Sequence, residues 1–258
     1  VTEITLKLFG ITECIGSGIC HFPTVEAACE ATMMTIQMCL PIARIELLDT
    51  LQVKACNRYS NLTLKEMPTL FVEFHGSEAG VQEQAQIFAE IVAECGGSDF
   101  AWDSNEEARN KLWHARHNAY PASCALRPEA KALSTDACVP ISRLAECVSE
   151  TAKDIEASGM VGPIVGHVGD GNFHVLLLVD TNNPEEVQTA EALVGRLAKR
   201  AIDMDGTCTG EHGIGQGKQK YMQHEHGDAV LLMQAIKQAL DPKNILNPGK
   251  IWPPEAVV

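Results

Sequence analysis

At 258 residues with 45% apolar content and a formal net charge of −14, the chain is long enough for one large domain or two small ones with a real core. The acidic balance argues against a nucleic-acid backbone or an anionic membrane surface as the main partner, and no run reaches the ~20 apolar residues of a membrane span. Ten cysteines scattered from Cys14 to Cys208 without a CxxC pair read as small buried apolar residues of a reducing compartment, such as cytosol or mitochondrial matrix.

The chain opens on VTEITLKL, which alternates polar and apolar residues like a strand and has no initiator Met. Glu13–Phe22 is a second β-like stretch, and Thr24–Leu40 a helix that Thr24 can cap. A short strand follows at Ile42–Leu48, then a polar interval over Cys56–Met67 expected as a loop or broken helix. Thr69–His75 alternates cleanly as a strand. Ser77 can cap a helix whose face is Val81, Ala85, Phe88, Val92 and Cys95, stopped by Gly96-Gly97, and Ser98–Trp102 returns as a strand. Two βαβ units of this kind predict an α+β fold: a ferredoxin-like antiparallel sheet with helices packed on one face.

The spacing predicts one polar helix over Asp103–Tyr120, ended by Pro121. A similar unit repeats, with a strand at Ala132–Ile141 and a helix at Ser142–Ser158 closed by Gly159, so the architecture reads as duplicated. Ile164–Leu178, IVGHVGDGNFHVLLL, reads as a hairpin turning at Asp170-Gly171, a pair suited to a two-residue type I′ turn. In that register His167 faces His174 with Cβ atoms roughly 5 Å apart, close enough for two imidazoles to share a cation. Equally, two histidines beside a turn can simply hydrogen-bond their neighbours at a wet sheet end. Asn183 and Pro184 start a helix that runs toward Gly206.

DGTCTGEHGIGQGKQKY then packs five glycines around Glu211 and His212, a density that suits a tight backbone course against a ligand or another chain. Glu211 is the best third ligand, giving a mixed N/O set for Zn²⁺, Mn²⁺ or Fe²⁺ with positions open to a chelating substrate. His212 would be the adjacent base. The plainer alternative is a carboxylate and an imidazole that only tie down a loop. A helix around Asp228–Leu240, turns at Asp241-Pro242 and Asn247-Pro248-Gly249-Lys250, and an extended WPPEAVV complete the chain.

Three motifs in order, GHVGDGNFH at 166–174, GTCTGEHGIGQGK at 206–218 and DPKNILNPGKI at 241–251, resemble the C-terminal half of the flavin-dependent D-2-hydroxy-acid dehydrogenases of the vanillyl-alcohol-oxidase superfamily. ARIELLD, LFVEFHGS, RHNAY and STDACVPISRL add to the resemblance, which covers essentially the whole chain. It implies that residues 1–10 are the last strand of an absent FAD-binding domain, 11–240 a substrate- and metal-binding cap, and 241–258 a segment returning to the FAD domain. It also implies a divalent metal, Zn or Mn, on His167, His174 and Glu211, with His212 as the base that takes the hydroxyl proton while hydride passes to flavin N5. Arg116 and Lys131 stand at the spacing of the family's substrate-clamping Arg and Lys, although Arg116 could instead pair with Glu106 or Glu107 on its own helix. Asn247 and Lys250 would approach the flavin, or serve a plain turn.

The implied reaction is FAD-dependent oxidation of a D-2-hydroxy acid, D-lactate to pyruvate, with electrons passing to an acceptor such as cytochrome c in mitochondria. D-2-hydroxyglutarate or glycolate is the alternative substrate within the family. From other classes, a stand-alone metal hydrolase using the same three ligands, or an inactive metal-binding fragment, also fits the residues. No complete GxGxxG or Walker loop occurs, so FAD would have to be held with another domain.

Overall fold

A computed structural model of the chain describes residues 2–252, so the expected extension over WPPEAVV lies, apart from Trp252, outside the described residues. The strands are β1 Cys14–His21, β2 Ile42–Leu48, β3 Thr69–Gly76, β4 Ser98–Asp103, β5 Lys131–Ser134, β6 Ala137–Cys138, β7 Ile164–Gly166 and β8 Asn172–Val179. The helices are α1 Val25–Gln37, α2 Thr50–Ser60, α3 Glu78–Glu94, α4 Glu106–His117, α5 Ala119–Cys124, α6 Leu144–Ser158, α7 Pro184–Asp203, α8 Met222–His226 and α9 Ala229–Leu240.

Local signals set most of these boundaries. The side chains of Thr24, Ser77 and Asn183 accept backbone N–H groups in the first turns of α1, α3 and α7, satisfying donors that have no intrahelical partner. Two expectations hold only in part. The polar interval after Cys56 begins as helix, because Asp49 caps α2 by accepting from Gln52 N and the helix continues to Ser60. Its polar residues Arg58 and Tyr59 lie on the exposed side, while Val53 and Cys56 are buried. The single helix expected over 103–120 divides at Asn118, and Pro121 sits in the first turn of α5, where its missing N–H costs nothing.

The sheet order is β4-β1-β3-β2-β7-β8-β5, with β6 also on β8, and every pairing is antiparallel. The first half has the 4-1-3-2 order of a ferredoxin-like unit. The second half mirrors it, with β7, β8 and β5 in the places of β2, β3 and β1, and the units join edge to edge through β2 and β7. Among the described residues the second unit has no fourth strand; α7 leads instead into the glycine-rich turn.

Strand alternation builds two cores. Leu70, Val72 and Phe74 of β3, with Phe173, Val175 and Leu177 of β8, face α1, α3, α6 and α7. Phe71 and Leu176 face the other way, onto Val53 and Cys56 of α2, Trp113 of α4 and Ala119 and Ala122 of α5. Helices therefore cover both faces rather than the one expected, and the second face carries the candidate site.

Among the described residues, 2–12 join no strand of this chain, and Ile4, Leu6, Leu8 and Phe9 are exposed. All ten cysteines are free, and five of them are buried. Among the described residues no helix is long and apolar enough to cross a membrane.

Candidate metal and substrate site

The β7–β8 connection is longer than a two-residue turn. Val165 pairs with His174, His167 falls just past the last pair, and Val168–Asp170 form a short 3-10 turn. Only Gly171 takes positive φ, at 77°, and a Cβ there would lie 2.1 Å from the Val139 carbonyl oxygen, so glycine is required. The direct opposition of His167 and His174 is therefore absent. The rings still converge, with centroids 5.9 Å apart and planes at 88°, because His167 leaves the strand direction as the turn begins.

Each imidazole is oriented from behind. His174 Nδ1 lies 2.9 Å from the Thr135 carbonyl oxygen, which can only accept, so Nδ1 carries the proton and Nε2 keeps its lone pair. His167 Nδ1 donates in the same way to Glu46 Oε1 at 2.8 Å. Burial lowers the His174 pKa from its ordinary value, whereas the Glu46 hydrogen bond raises that of His167 against the effect of burial. Glu211 comes from the glycine-rich turn, with Oε1 3.2 Å from His174 Nε2. One ligand atom from each of His167, His174 and Glu211 lies within 4.8 Å of the others. Two lone pairs and a carboxylate at that separation, with both rings locked in the ligating tautomer, fit a shared divalent cation.

His212 stands beside this trio. Its ring stacks on His174 with centroids 5.3 Å apart and planes at 17°, and its Nε2 is 3.5 Å from Glu211 Oε1. Arg116 is also present, but its partner is neither Glu106 nor Glu107. Its Nε and Nη2 donate to Glu46 Oε2 at 3.1 and 2.8 Å, so Glu46 ties Arg116 and His167 together. A cleft of about 170 Å³ opens here, with Arg116, Tyr120, Val165, His167, Leu176 and His212 in its wall.

The other expected residues lie apart. Lys131 is exposed and pairs with Val179, whose side belongs to the core under α6 and α7, so strand register puts Lys131 on the opposite face from the histidines. Asn247 and Lys250 are exposed in the C-terminal segment, which docks on the glycine-rich turn through Ile251 N to Gly215 O at 2.7 Å and Gln219 Nε2 to Gly249 O at 2.8 Å.

Two site carboxylates escaped the sequence reading. Glu46 sits in a strand where alternation alone does not reveal a partner. Asp136 has a fully buried side chain that receives Asn172 Nδ2, Thr209 Oγ1, Lys218 Nζ and the backbone N–H groups of Glu211 and His212. Burial alone would raise its pKa, but the His212 N–H, the Asn172 amide, the Glu211 N–H and the Lys218 cation outweigh it and hold the carboxyl well below the usual range.

Residues 13–251 match the family described as FAD linked oxidases, C-terminal domain. The chain is 50% identical over 252 residues to a probable mitochondrial D-lactate dehydrogenase of Danio rerio, covering 97% of this chain and 51% of that protein. It is 42% identical over 255 residues to the mitochondrial D-lactate dehydrogenase [cytochrome] of Arabidopsis thaliana, covering 98% and 45%. The chain thus spans about half the length of the curated relatives it matches. Among solved structures, 4-ethylphenol oxidase from Gulosibacter chungangensis in complex with isoeugenol superposes with a TM-score of 0.67 at 17% identity, over 93% of this chain and 54% of that one, a likeness of fold alone. With the family matched across nearly its whole length, the chain belongs to the FAD-linked oxidases and is their C-terminal domain.

Proposed function

We propose that this chain carries the substrate- and metal-binding site of an FAD-dependent dehydrogenase that oxidises D-lactate, or a similarly small D-2-hydroxy acid, to the 2-oxo acid. The observation that carries this reading is the meeting of His167, His174 and Glu211, from a hairpin and a distant turn, with His212 stacked alongside. The names of the relatives support the substrate and a mitochondrial location, and the Arabidopsis name supports a cytochrome as acceptor, for which cytochrome c is our proposal.

A divalent cation, Zn or Mn, would be held by His167, His174 and Glu211, and when bound it supplies the positive charge that favours an ionised 2-hydroxyl. FAD supplies the hydride acceptor, and Asn247 and Lys250 are the residues of this chain proposed to meet it. His212 receives the hydroxyl proton at an imidazole nitrogen as the Cα–H bond gives up its electron pair and the C–O bond becomes a carbonyl. Arg116, fixed by Glu46 through Nε and Nη2, keeps Nη1 for the substrate carboxylate. Val165 and Leu176 give the small cleft an apolar wall that suits a methyl group better than a second carboxylate. Lys131 has no part in this arrangement.

The test is to produce the chain together with the half of a relative that it does not match, to supply FAD, and to follow flavin bleaching. D-Lactate is expected to bleach the flavin faster than L-lactate or D-2-hydroxyglutarate, and the chain alone is expected to show no dehydrogenase turnover. Failure of all three acids to bleach a loaded flavin would refute the assignment.

A further inference from the structure

We propose that Asp136 is a positioning residue, the single buried anion that sets the glycine-rich turn against the histidine hairpin and thereby aims Glu211 and His212. This deepens the reading above and rests on it for the meaning of the site, though not for the geometry.

The problem Asp136 solves is visible in the turn itself. Cys208–Gly213 contains neither helix nor strand, and among the described residues none of its backbone N–H groups donates to a backbone carbonyl. Those with partners end on side chains: Cys208 N on Glu225, Thr209 N on Thr207 Oγ1, and Glu211 N and His212 N on Asp136. The two ligand-side residues are therefore fixed by one carboxylate, at 3.1 Å from Glu211 N and 2.8 Å from His212 N.

The same carboxylate reaches the hairpin. Asp136 Oδ1 accepts from Asn172 Nδ2 at 3.0 Å, and Asn172 lies between His167 and His174 in the chain. Thr209 Oγ1 and Lys218 Nζ complete the set on Oδ2 at 3.0 and 3.3 Å. Gly210 shows how closely the turn is drawn in, since a Cβ there would lie 1.8 Å from Asn172 Nδ2 and 3.0 Å from Asp136 Oδ1. A side chain with no solvent exposure would strongly disfavour a charge unless its acceptors were filled, and here both oxygens are. Each donor belongs to one of the two segments that must meet, apart from Lys218, which balances the charge. Only an ionised carboxylate can accept from all of them, because an amide offers one oxygen and turns its nitrogen toward donors.

Three arms test this on the whole chain. In the first, hydrogen exchange of the unaltered protein needs neither metal nor variant: the Glu211 and His212 amides should exchange at least about tenfold more slowly than that of Gly213 in the same turn. Equal rates would overturn the proposal. In the second, Asp136→Asn should bind Mn²⁺ or Zn²⁺ about 10- to 100-fold more weakly and lose the Glu211 and His212 protection, with the Val175 and Leu177 amides of β8 unchanged. A folded variant with unaltered affinity and protection would overturn it. Should Asp136→Asn fail to fold, Asp136→Asn/Lys218→Met, which removes the charge and its counter-ion together, takes its place under the same criteria. In the third, His174→Ala serves as the reference: if it binds metal as well as the unaltered chain, the metal reading fails while the exchange arm still decides the role of Asp136.

Discussion

Glu46→Gln probes the support behind His167 with two readouts that separate stability from ligation. Glu46 and Arg116 side chains are only 11% and 14% exposed, and three N–H donors converge on the carboxylate: Arg116 Nε, Arg116 Nη2 and His167 Nδ1. Removing one partner from a buried ion pair costs about 3–5 kcal/mol. The amide keeps one acceptor and the pair keeps some solvent, so the expected loss is about 2–3 kcal/mol by denaturant unfolding. The new NH2 must face either the guanidinium or the imidazole N–H, and both are donors; the charged guanidinium, with two N–H groups on one oxygen, keeps the remaining carbonyl, so the NH2 turns to the imidazole. His167 then loses the bond that fixes its tautomer, and Mn²⁺ affinity measured by calorimetry should fall about 10- to 100-fold.

Adding Arg116→Met to Glu46→Gln tests this competition. It removes the stranded guanidinium, should return about 1–2 kcal/mol of stability, and should restore part of the metal affinity, because the single amide oxygen is then free to accept from His167 Nδ1. A Glu46→Gln chain within about 0.5 kcal/mol of the unaltered one and with unchanged affinity would refute the argument that this carboxylate orients His167.

Five further variants test particular contacts. His174→Ala should lose stoichiometric metal, measured by plasma emission after desalting, whereas His212→Ala should keep it and abolish flavin reduction in the complete enzyme. Gly171→Ala should cost well over ~2 kcal/mol, because left-handed strain adds to the clash with the Val139 carbonyl at 2.1 Å. Gly213→Ala has the same φ of 77° but open space around its Cβ, so it should cost only about 1–2 kcal/mol; equal costs would show the clash to be relieved. Arg196 donates to Asp154 at 2.7 to 3.0 Å and holds its carboxyl below the ordinary value. A depressed carboxylate stabilises the fold above its unfolded pKa of ~3.9 and loses that stability as pH falls through the folded value. Arg196→Ala should therefore cost about 0.5 kcal/mol at pH 7, small because the guanidinium is half exposed, and nothing in strong acid.

Periodic elements were legible because their signals are local. The strands at Thr69–Gly76 and Ser98–Asp103, and the caps at Thr24, Ser77 and Asn183, follow from alternation and from unpaired N–H groups within a few residues of the signal. The hairpin register was misread because a two-residue turn and a 3-10 turn over Val168–Asp170 share the same Asp-Gly, and what decides between them is Val139, about thirty residues away, crowding Gly171. Lys131 was misplaced for a related reason. Spacing along a chain says nothing about which side of β5 meets the histidines; pairing with Val179 does.

The two carboxylates behind the site were illegible on different grounds. A charged residue within a strand is ordinarily assigned to solvent, and Glu46 in ARIELLD gives no sign that both its oxygens are taken by Arg116 and His167, 70 and 121 positions on. Asp136 is the sharper case, since an acid before Ala-Cys-Val reads as a break in an apolar run, yet its donors come from Asn172, Thr209, Glu211, His212 and Lys218. The candidate trio of His167, His174 and Glu211 could be put forward because ligation demands particular side chains at short range, and two motifs offer them. The residues that aim the trio are chosen by what surrounds them after folding, where a carboxylate is retained only if every lone pair it buries finds a donor. A site of this kind has its reactive atoms written in the motifs and its geometry written in the packing, so a motif match without Glu46 and Asp136 in place would predict ligands present but poorly aimed.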